Sequence, residues 1–400
     1  MKPTPPPRSD LRGAARLAVD ATAGLTDLVE AMHARIASPP GVSAPEGRTR
    51  GITGLVYKSI RGVTQLVGGS VDALLGLLEA VLAPGAKEGP PNPQREAVLA
   101  ALNGVLGDHL AASHNPLATP MTLRRDGQAL ALEPAALAAR IPDASPRLLV
   151  LLHGLCMNDR QWLREGHDHG AALARDLGFT PVYLHYNSGL PVAVNGLAFA
   201  NLMQRLLDAW PCRVERLVLL GHSMGGLVAR SALQQGAAAG QGWPQRVDDL
   251  VCLGTPHQGA PLERAGHWID LLLGATPYAA PLARLGKVRS AGITDLRHGL
   301  PQPPLPAGVR CFALAGSMGA PGKGRGRELK DSVVGDGLVP VASALGQHAD
   351  TARSLDFPPD HQWLAQGVNH MALLSDGAVY AQACRWLSPP PSASLEAPAS

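Results

Sequence analysis

The sequence predicts an α/β domain, a mostly parallel sheet with helices on both faces, preceded by a helical extension. Two observations carry this. From about residue 148 onward, short apolar runs of strand length alternate with longer segments of helical period. Such alternation calls for parallel strands joined by right-handed helical crossovers, because parallel neighbours need a long connection and a helix supplies it. The second observation is a Gly-x-Ser-x-Gly pentapeptide, Gly221 to Gly225, set between one such run and the helical segment after it.

The ends are simple. Residues 1–10 and 389–400 are rich in Pro, Ser and Ala and are expected to be disordered. Residues 11–118 read as a helical extension with Pro/Gly-rich linkers. Helical spacing runs from Leu11 to Ala37 and stops at Pro39-Pro40. A second stretch, Ile52 to Leu82, places Ile60, Val63, Val67, Val71, Leu74, Leu78 and Val81 on one face. Lys58, Arg61, Asp72 and Glu79 interrupt it, so no charge-free run reaches the ~18 residues a membrane span needs. These helices are expected to pack as a cap or hairpin, with peripheral membrane contact or self-association as the alternative. A linker over 84–93 leads to a short helix, Gln94 to Leu110.

Residues 119–388 are expected to form the α/β domain. Met121 to Arg124 and Ala129 to Leu132 flank Asp126-Gly127, a pair suited to a hairpin turn. Strands follow at Leu148 to Leu152, Pro181 to His185, Leu217 to Leu220, Leu250 to Leu253 and Cys311 to Ala315. Helices alternate with them at Ala171 to Leu177, Leu197 to Trp210 and Gly226 to Gln234, and an apolar helix closes the chain. Residues 260–300 are more apolar than a plain connection needs, with Trp268 to Leu273 and Leu282 to Leu285. They read equally as a mobile lid or as a permanently packed helix pair.

Composition narrows the function. With 46% hydrophobic residues the chain can bury a large core, and a net charge of +3 lacks the basic bias of a nucleic-acid-coating protein. The five cysteines form no CxxC pair, so they read as reduced thiols rather than a disulfide framework or zinc site. The first residues carry no apolar signal region, which points to the cytoplasm.

The pentapeptide gains meaning from its neighbours. With 45 glycines in the chain, Gly-x-Ser-x-Gly arises easily by chance. Between the strand Leu217 to Leu220 and a helix it describes a nucleophile elbow, a strained turn presenting Ser223, with Gly221 and Gly225 required sterically. An oxyanion formed at such a serine needs two preorganised donors. The amide of Met224 is one candidate. The other lies after the strand ending at His153-Gly154: Leu155, with Cys156 as the weaker alternative. His153 reads as an orienting residue.

A serine hydroxyl also needs a histidine to take its proton and a carboxylate to hold that histidine. In this strand order the acid and then the histidine follow the serine. His370, in Gly367-Val368-Asn369-His370 before the last helix, is the candidate base, with His361 second. Asp336, in Gly335-Asp336-Gly337-Leu338-Val339-Pro340, is the candidate acid, with Asp331 second.

Together these segments, with Leu253-Gly254-Thr255-Pro256-His257-Gln258-Gly259, resemble the α/β-hydrolase superfamily. Within it they are similar to the lipase/esterase branch that includes bacterial triacylglycerol lipases and PGAP-type inositol-deacylase-like proteins. The resemblance covers about Leu148 to Leu387. It implies an α/β-hydrolase fold with a lid insertion, and a serine hydrolase that cleaves carboxylic esters through Ser223, His370 and Asp336. His257 is expected to tie its loop near the site. Some members bind a structural calcium, but no isolated carboxylate cluster stands out, and no cofactor or metal is expected. The substrate would be a small-molecule or lipid ester, with membrane contact through the N-terminal helices or the lid. Two alternatives stand beside this: acyl transfer, thioester or amide cleavage by the same residues, or a membrane- or partner-binding protein with a vestigial hydrolase domain.

Overall fold

The computed structural model describes residues 93–260, 290–298, 305–319 and 335–389. The helices expected over 11–37 and 52–82, the ends expected to be disordered (residue 389 apart), most of the lid segment and Asp331 lie outside the described residues. Of the described residues, 93–119 with Ser290 belong to one compact unit and the remainder to a second.

In the first unit, helix α1 (Pro93–Ala112) runs close to its expected bounds. Asn103 on this helix fastens the chain that leaves it. Its Nδ2 donates to the Leu117 carbonyl at 2.8 Å, and its Oδ1 accepts from the Thr119 amide at 2.8 Å. Among the described residues no helix is long and apolar enough to cross a membrane.

The second unit is built on an eight-stranded sheet. In chain order it contains β1 (Thr122–Arg125), β2 (Gln128–Ala129), α2 (Pro134–Arg140), β3 (Arg147–Leu152), α3 (His169–Leu177) and β4 (Thr180–His185). There follow α4 (Val192–Ala209), β5 (Arg216–His222), α5 (Met224–Ala238), β6 (Val247–Leu253), α6 (Ala291–His298), β7 (Arg310–Ser317), β8 (Gln362–Gln366) and α7 (Gly377–Leu387). The strand order is β2-β1-β4-β3-β5-β6-β7-β8. From β4 to β8 all neighbours are parallel, while β1 runs antiparallel to β4 and to β2. This is the α/β-hydrolase fold.

The burial pattern follows from that order. Leu148 to Leu152, Leu217 to Leu220 and Leu250 to Leu253 are all fully buried. Central parallel strands are covered on both faces, so they read as continuous apolar runs rather than as alternation. At the starting end of these strands the buried Asp249 on β6 pairs with Arg216 on β5 at 2.7 Å and with Arg310 on β7 at 2.6 Å. The opposite end is left for the site.

The structure departs from the sequence-based expectation at several places. The second hairpin strand is only two residues long, because the chain turns early into α2, which begins with a proline that has no N–H to donate. Strand β8 was not expected. Its segment, Gln-Trp-Leu-Ala-Gln, is polar at both ends, as suits an edge strand that is only partly buried. Helix α4 begins at Val192, five residues before the expected start, since β-branched Val192 and Val194 weaken the helical signal there.

Candidate active site

Strand β5 ends at His222 and helix α5 begins at Met224, which leaves Ser223 alone at the turn. Its backbone is at φ 53°, ψ −123°, a region an L-residue occupies only under strain. The turn is locked by the Ser223 amide, which donates to the Leu253 carbonyl at 2.8 Å, and by the Gly226 amide, which donates to the Ser223 carbonyl at 3.2 Å.

The glycines around it are required for separate reasons. A Cβ on Gly221 would run into the backbone of Gly225 and Gly226. One on Gly225 would strike the carbonyls of Leu152 and His153 at the end of β3. Both glycines expected to be sterically required are so, for different reasons: Gly221 by the turn itself, and Gly225 by the neighbouring strand. Gly226 has no room for a Cβ because Thr255 packs against it.

The loop after β3 lies directly on the elbow. A Cβ on Gly154 would stand 3.1 Å from Ser223 Cβ and 3.2 Å from His222 Nδ1. His153 is fully buried, stacks on Tyr186 with ring centroids 4.3 Å apart, and donates from Nδ1 to the Gly154 carbonyl at 2.8 Å. Tyr186 in turn donates its hydroxyl to the His153 carbonyl at 2.8 Å. Burial pulls the His153 pKa down to about 3, so the ring stays neutral and holds a proton poorly.

Cys156 takes a left-handed conformation, φ 59°, and its amide donates to Ser188 Oγ at 3.0 Å. That amide is therefore engaged. The Leu155 amide makes no hydrogen bond to a described residue, and the Met224 amide opens a helix and has no intrahelical acceptor. Burial pushes the Cys156 thiol up to about 12, which removes it as a nucleophile at neutral pH.

On the other side of the elbow, Asp336 and His370 are both fully buried, and His370 Nδ1 donates to Asp336 Oδ2 at 2.7 Å. The other carboxylate oxygen accepts the amides of Leu338 at 3.0 Å and Val339 at 2.8 Å, so the acid is fixed before it meets the histidine. The two backbones are also joined, with the His370 amide donating to the Asp336 carbonyl at 3.0 Å. His370 Nε2 is buried and makes no hydrogen bond to a described group. Its ring centroid lies 4.7 Å from that of His222, the residue immediately before Ser223. Contacts between base and nucleophile are commonly loose in unliganded enzymes and tighten when substrate arrives.

His361, the second candidate base, is elsewhere. It donates from Nδ1 to the Cys311 carbonyl at 3.1 Å and packs on Phe312, at the starting end of β7 and away from the elbow.

The Leu253 to Gly259 stretch buttresses this side. Gly254, at φ 57°, passes so close that a Cβ would stand 3.1 Å from Asp336 Oδ2 and 3.2 Å from His370 Cε1. His257 Nδ1 accepts from the buried Arg230 guanidinium at 3.2 Å, and burial holds its pKa well below the usual histidine value.

Sequence reasoning missed four supports. Ser188 holds the Cys156 amide, and Tyr186 holds His153. His169 donates from Nε2 to the Leu373 carbonyl at 2.9 Å, behind the His370 loop. His222 donates from Nε2 to the His370 carbonyl at 3.1 Å. A signal for the first two was available: Tyr186, Asn187 and Ser188 directly follow β4, and the carboxyl ends of parallel strands are where sites form. The described part of the lid segment, α6, packs beside the same loop. The Gly292 amide donates to the Gly189 carbonyl at 3.0 Å, and Asp295 Oδ2 accepts the Val192 amide at 2.8 Å.

Sheet order and turn geometry together define the α/β-hydrolase fold. Residues 199–298 match the family model described as the PGAP1-like alpha/beta domain. No curated protein matches the chain. Among solved structures it is similar to the mature form of the Bacillus licheniformis lipase BlEst2, at 20% identity over 61% of this chain and 93% of that one, with a TM-score of 0.43. It is also similar to the Pyrococcus furiosus esterase Pf2001, at 14% identity over 61% and 81%, TM-score 0.37. A third is the NocB thioesterase domain bound covalently to a fluorophosphonate nocardicin G analogue, at 17% identity over 62% and 97%, TM-score 0.39.

Proposed function

We propose that this protein is a serine hydrolase that cleaves carboxylic esters through Ser223, His370 and Asp336. The observation that carries the reading is the fully buried 2.7 Å hydrogen bond from His370 Nδ1 to Asp336, with the His370 ring 4.7 Å from that of His222, the residue before Ser223 on its strained strand-to-helix turn. A carboxylate on Nδ1 fixes the tautomer in which Nε2 is the bare, basic nitrogen.

In the first half-reaction Ser223 Oγ attacks the ester carbonyl carbon as its proton passes to His370 Nε2. The imidazolium that forms is stabilised by Asp336. The carbonyl oxygen becomes an oxyanion held by the amides of Leu155 and Met224, and each such donor is worth about 3–4 kcal/mol in the transition state. The carbon–oxygen bond to the leaving group then breaks, the imidazolium protonates the departing alcohol, and an acyl-serine remains. Water, deprotonated by His370, attacks that acyl group; the acyl–Oγ bond then breaks as the imidazolium returns its proton to Ser223 Oγ, releasing the acid product and restoring the free serine and neutral His370.

The test is hydrolysis of p-nitrophenyl esters of rising chain length by the wild type and Ser223→Ala. The wild type is expected to release p-nitrophenol with a preference for one range of acyl length. The Ser223→Ala variant should lose about 10⁶-fold in kcat, as removal of a triad nucleophile does elsewhere. Equal turnover by both proteins would refute the reading.

A further inference from the structure

We propose that His222 is a positioning residue that ties the base to the nucleophile elbow, holding the main-chain carbonyl of His370 and so setting the gap between the His370 ring and Ser223 Oγ. This rests on the triad reading above.

His222 is fully buried at the last position of β5, in register with Leu253 of β6, so its backbone cannot shift without the sheet. Its Nε2–H donates to the His370 carbonyl at 3.1 Å, and the two rings stand 4.7 Å apart. The edge of Trp162 confines it from another side, with centroids 6.4 Å apart. The other bonds to His370 come from Asp336, on the β7 side of the sheet. Nucleophile and base therefore hang from different strands. Among the described residues, the His222 hydrogen bond is the one that joins residues 221–226 to the loop 367–374.

The chemistry of the imidazole supports a bonding role over simple packing. Burial, reinforced by the adjacent His370, keeps His222 neutral. A neutral ring has a single N–H, and it is spent on the His370 carbonyl. Nδ1 is left as a buried acceptor with no partner among the described residues, facing Gly154. An apolar side chain at this position would avoid that desolvation cost. The imidazole is explained by what Nε2 holds.

Two variants of near-equal length separate the donor from the packing. Gln reaches about as far as His and carries an N–H donor, whereas Met has the same chain length without one. Steady-state hydrolysis of a short p-nitrophenyl ester and labelling by a fluorophosphonate would be measured for wild type, His222→Gln and His222→Met, with folding checked by circular dichroism. For His222→Met we expect kcat to fall on the order of ten- to a hundredfold, the range for a catalytic group displaced by up to an ångström, with KM within about twofold. His222→Gln should recover most of that loss. Equal kcat in the two variants, a change confined to KM, or failure of His222→Met to fold would each overturn the proposal, the last by assigning His222 to stability. If the wild type itself is neither labelled nor active, the triad reading has failed; if it is labelled and His222→Met is labelled at the same rate, only the role of His222 has.

Discussion

The two halves of the candidate site are built in opposite ways. The nucleophile half is local: strand β5, Ser223 and helix α5 are contiguous, and two backbone hydrogen bonds hold the turn. The acid–base half is assembled from a distance. Asp336 and His370 are brought together by loops after β7 and β8, and a side-chain hydrogen bond closes the pair. A local turn is specified by glycines at fixed offsets, and an assembled pair by whatever holds its loops. The first should fail through folding, the second through chemistry.

Apart from removal of Ser223 itself, the largest effect is expected on the assembled side. Asp336→Asn should keep the fold and lower kcat about 10⁴-fold, because an amide can pair with the wrong tautomer of His370. Circular dichroism with a kinetic assay checks both parts. Activity within tenfold of wild type would show that another carboxylate holds the base.

On the local side the damage should be structural. Gly225→Ala drives a Cβ into two main-chain carbonyls that cannot move aside. A loss of stability of at least about 3 kcal/mol is expected, the upper part of the range for overpacking, read as a fall in denaturant midpoint. An unchanged midpoint would mean that β3 and the elbow are less closely packed than described.

Acid should act through histidines buried around both halves. His153 and His169 have folded pKa values pulled down to about 3 and about 4, and those of His222 and His257 lie well below the usual value, in each case first through burial. In the unfolded chain they titrate near 6.5. Their contribution is complete above about pH 6.5 and is lost as pH falls below it, because the unfolded state takes up protons that the folded state refuses. Each group costs about 1.4 kcal/mol per pH unit in that window. Melting temperature should therefore drop steadily from about pH 6.5 to pH 4.5; a flat profile there would contradict the neutral, buried assignment.

Smaller effects are expected at the oxyanion loop. Ser188→Ala removes the acceptor of the Cys156 amide and should lower kcat about tenfold, roughly the value of one hydrogen bond that holds a donor loop in place. Cys156→Ala should leave kcat within about threefold and labelling intact, since its thiol is protonated at neutral pH. Loss of labelling in Cys156→Ala would make the thiol, and not Ser223, the reacting group.

The same contrast governs what the sequence disclosed. Ser223, Gly221 and Gly225 were legible because their spacing is a direct imprint of one turn. The central strands were legible because burial on both faces leaves unbroken apolar runs such as Leu148 to Leu152. Asp336 and His370 could be ranked only by chain order, and the structure brings this pair together while it sends His361 to the far end of β7. The supports were not legible. His222 looks like filler within the pentapeptide, and Ser188 and His169 like loop and helix polar residues. Their partners, His370, Cys156 and Leu373, lie 148, 32 and 204 positions away, and no local pattern encodes such pairings. Strand β8 was missed because an edge strand need not be apolar.

The central claim is that Ser223 is the group that becomes acylated. The direct measurement is mass-spectrometric mapping of the protein after treatment with a fluorophosphonate. One adduct is expected, on the peptide carrying Ser223, absent from Ser223→Ala and strongly slowed in Asp336→Asn. An adduct on any other residue, or undiminished labelling of Ser223→Ala, would contradict it.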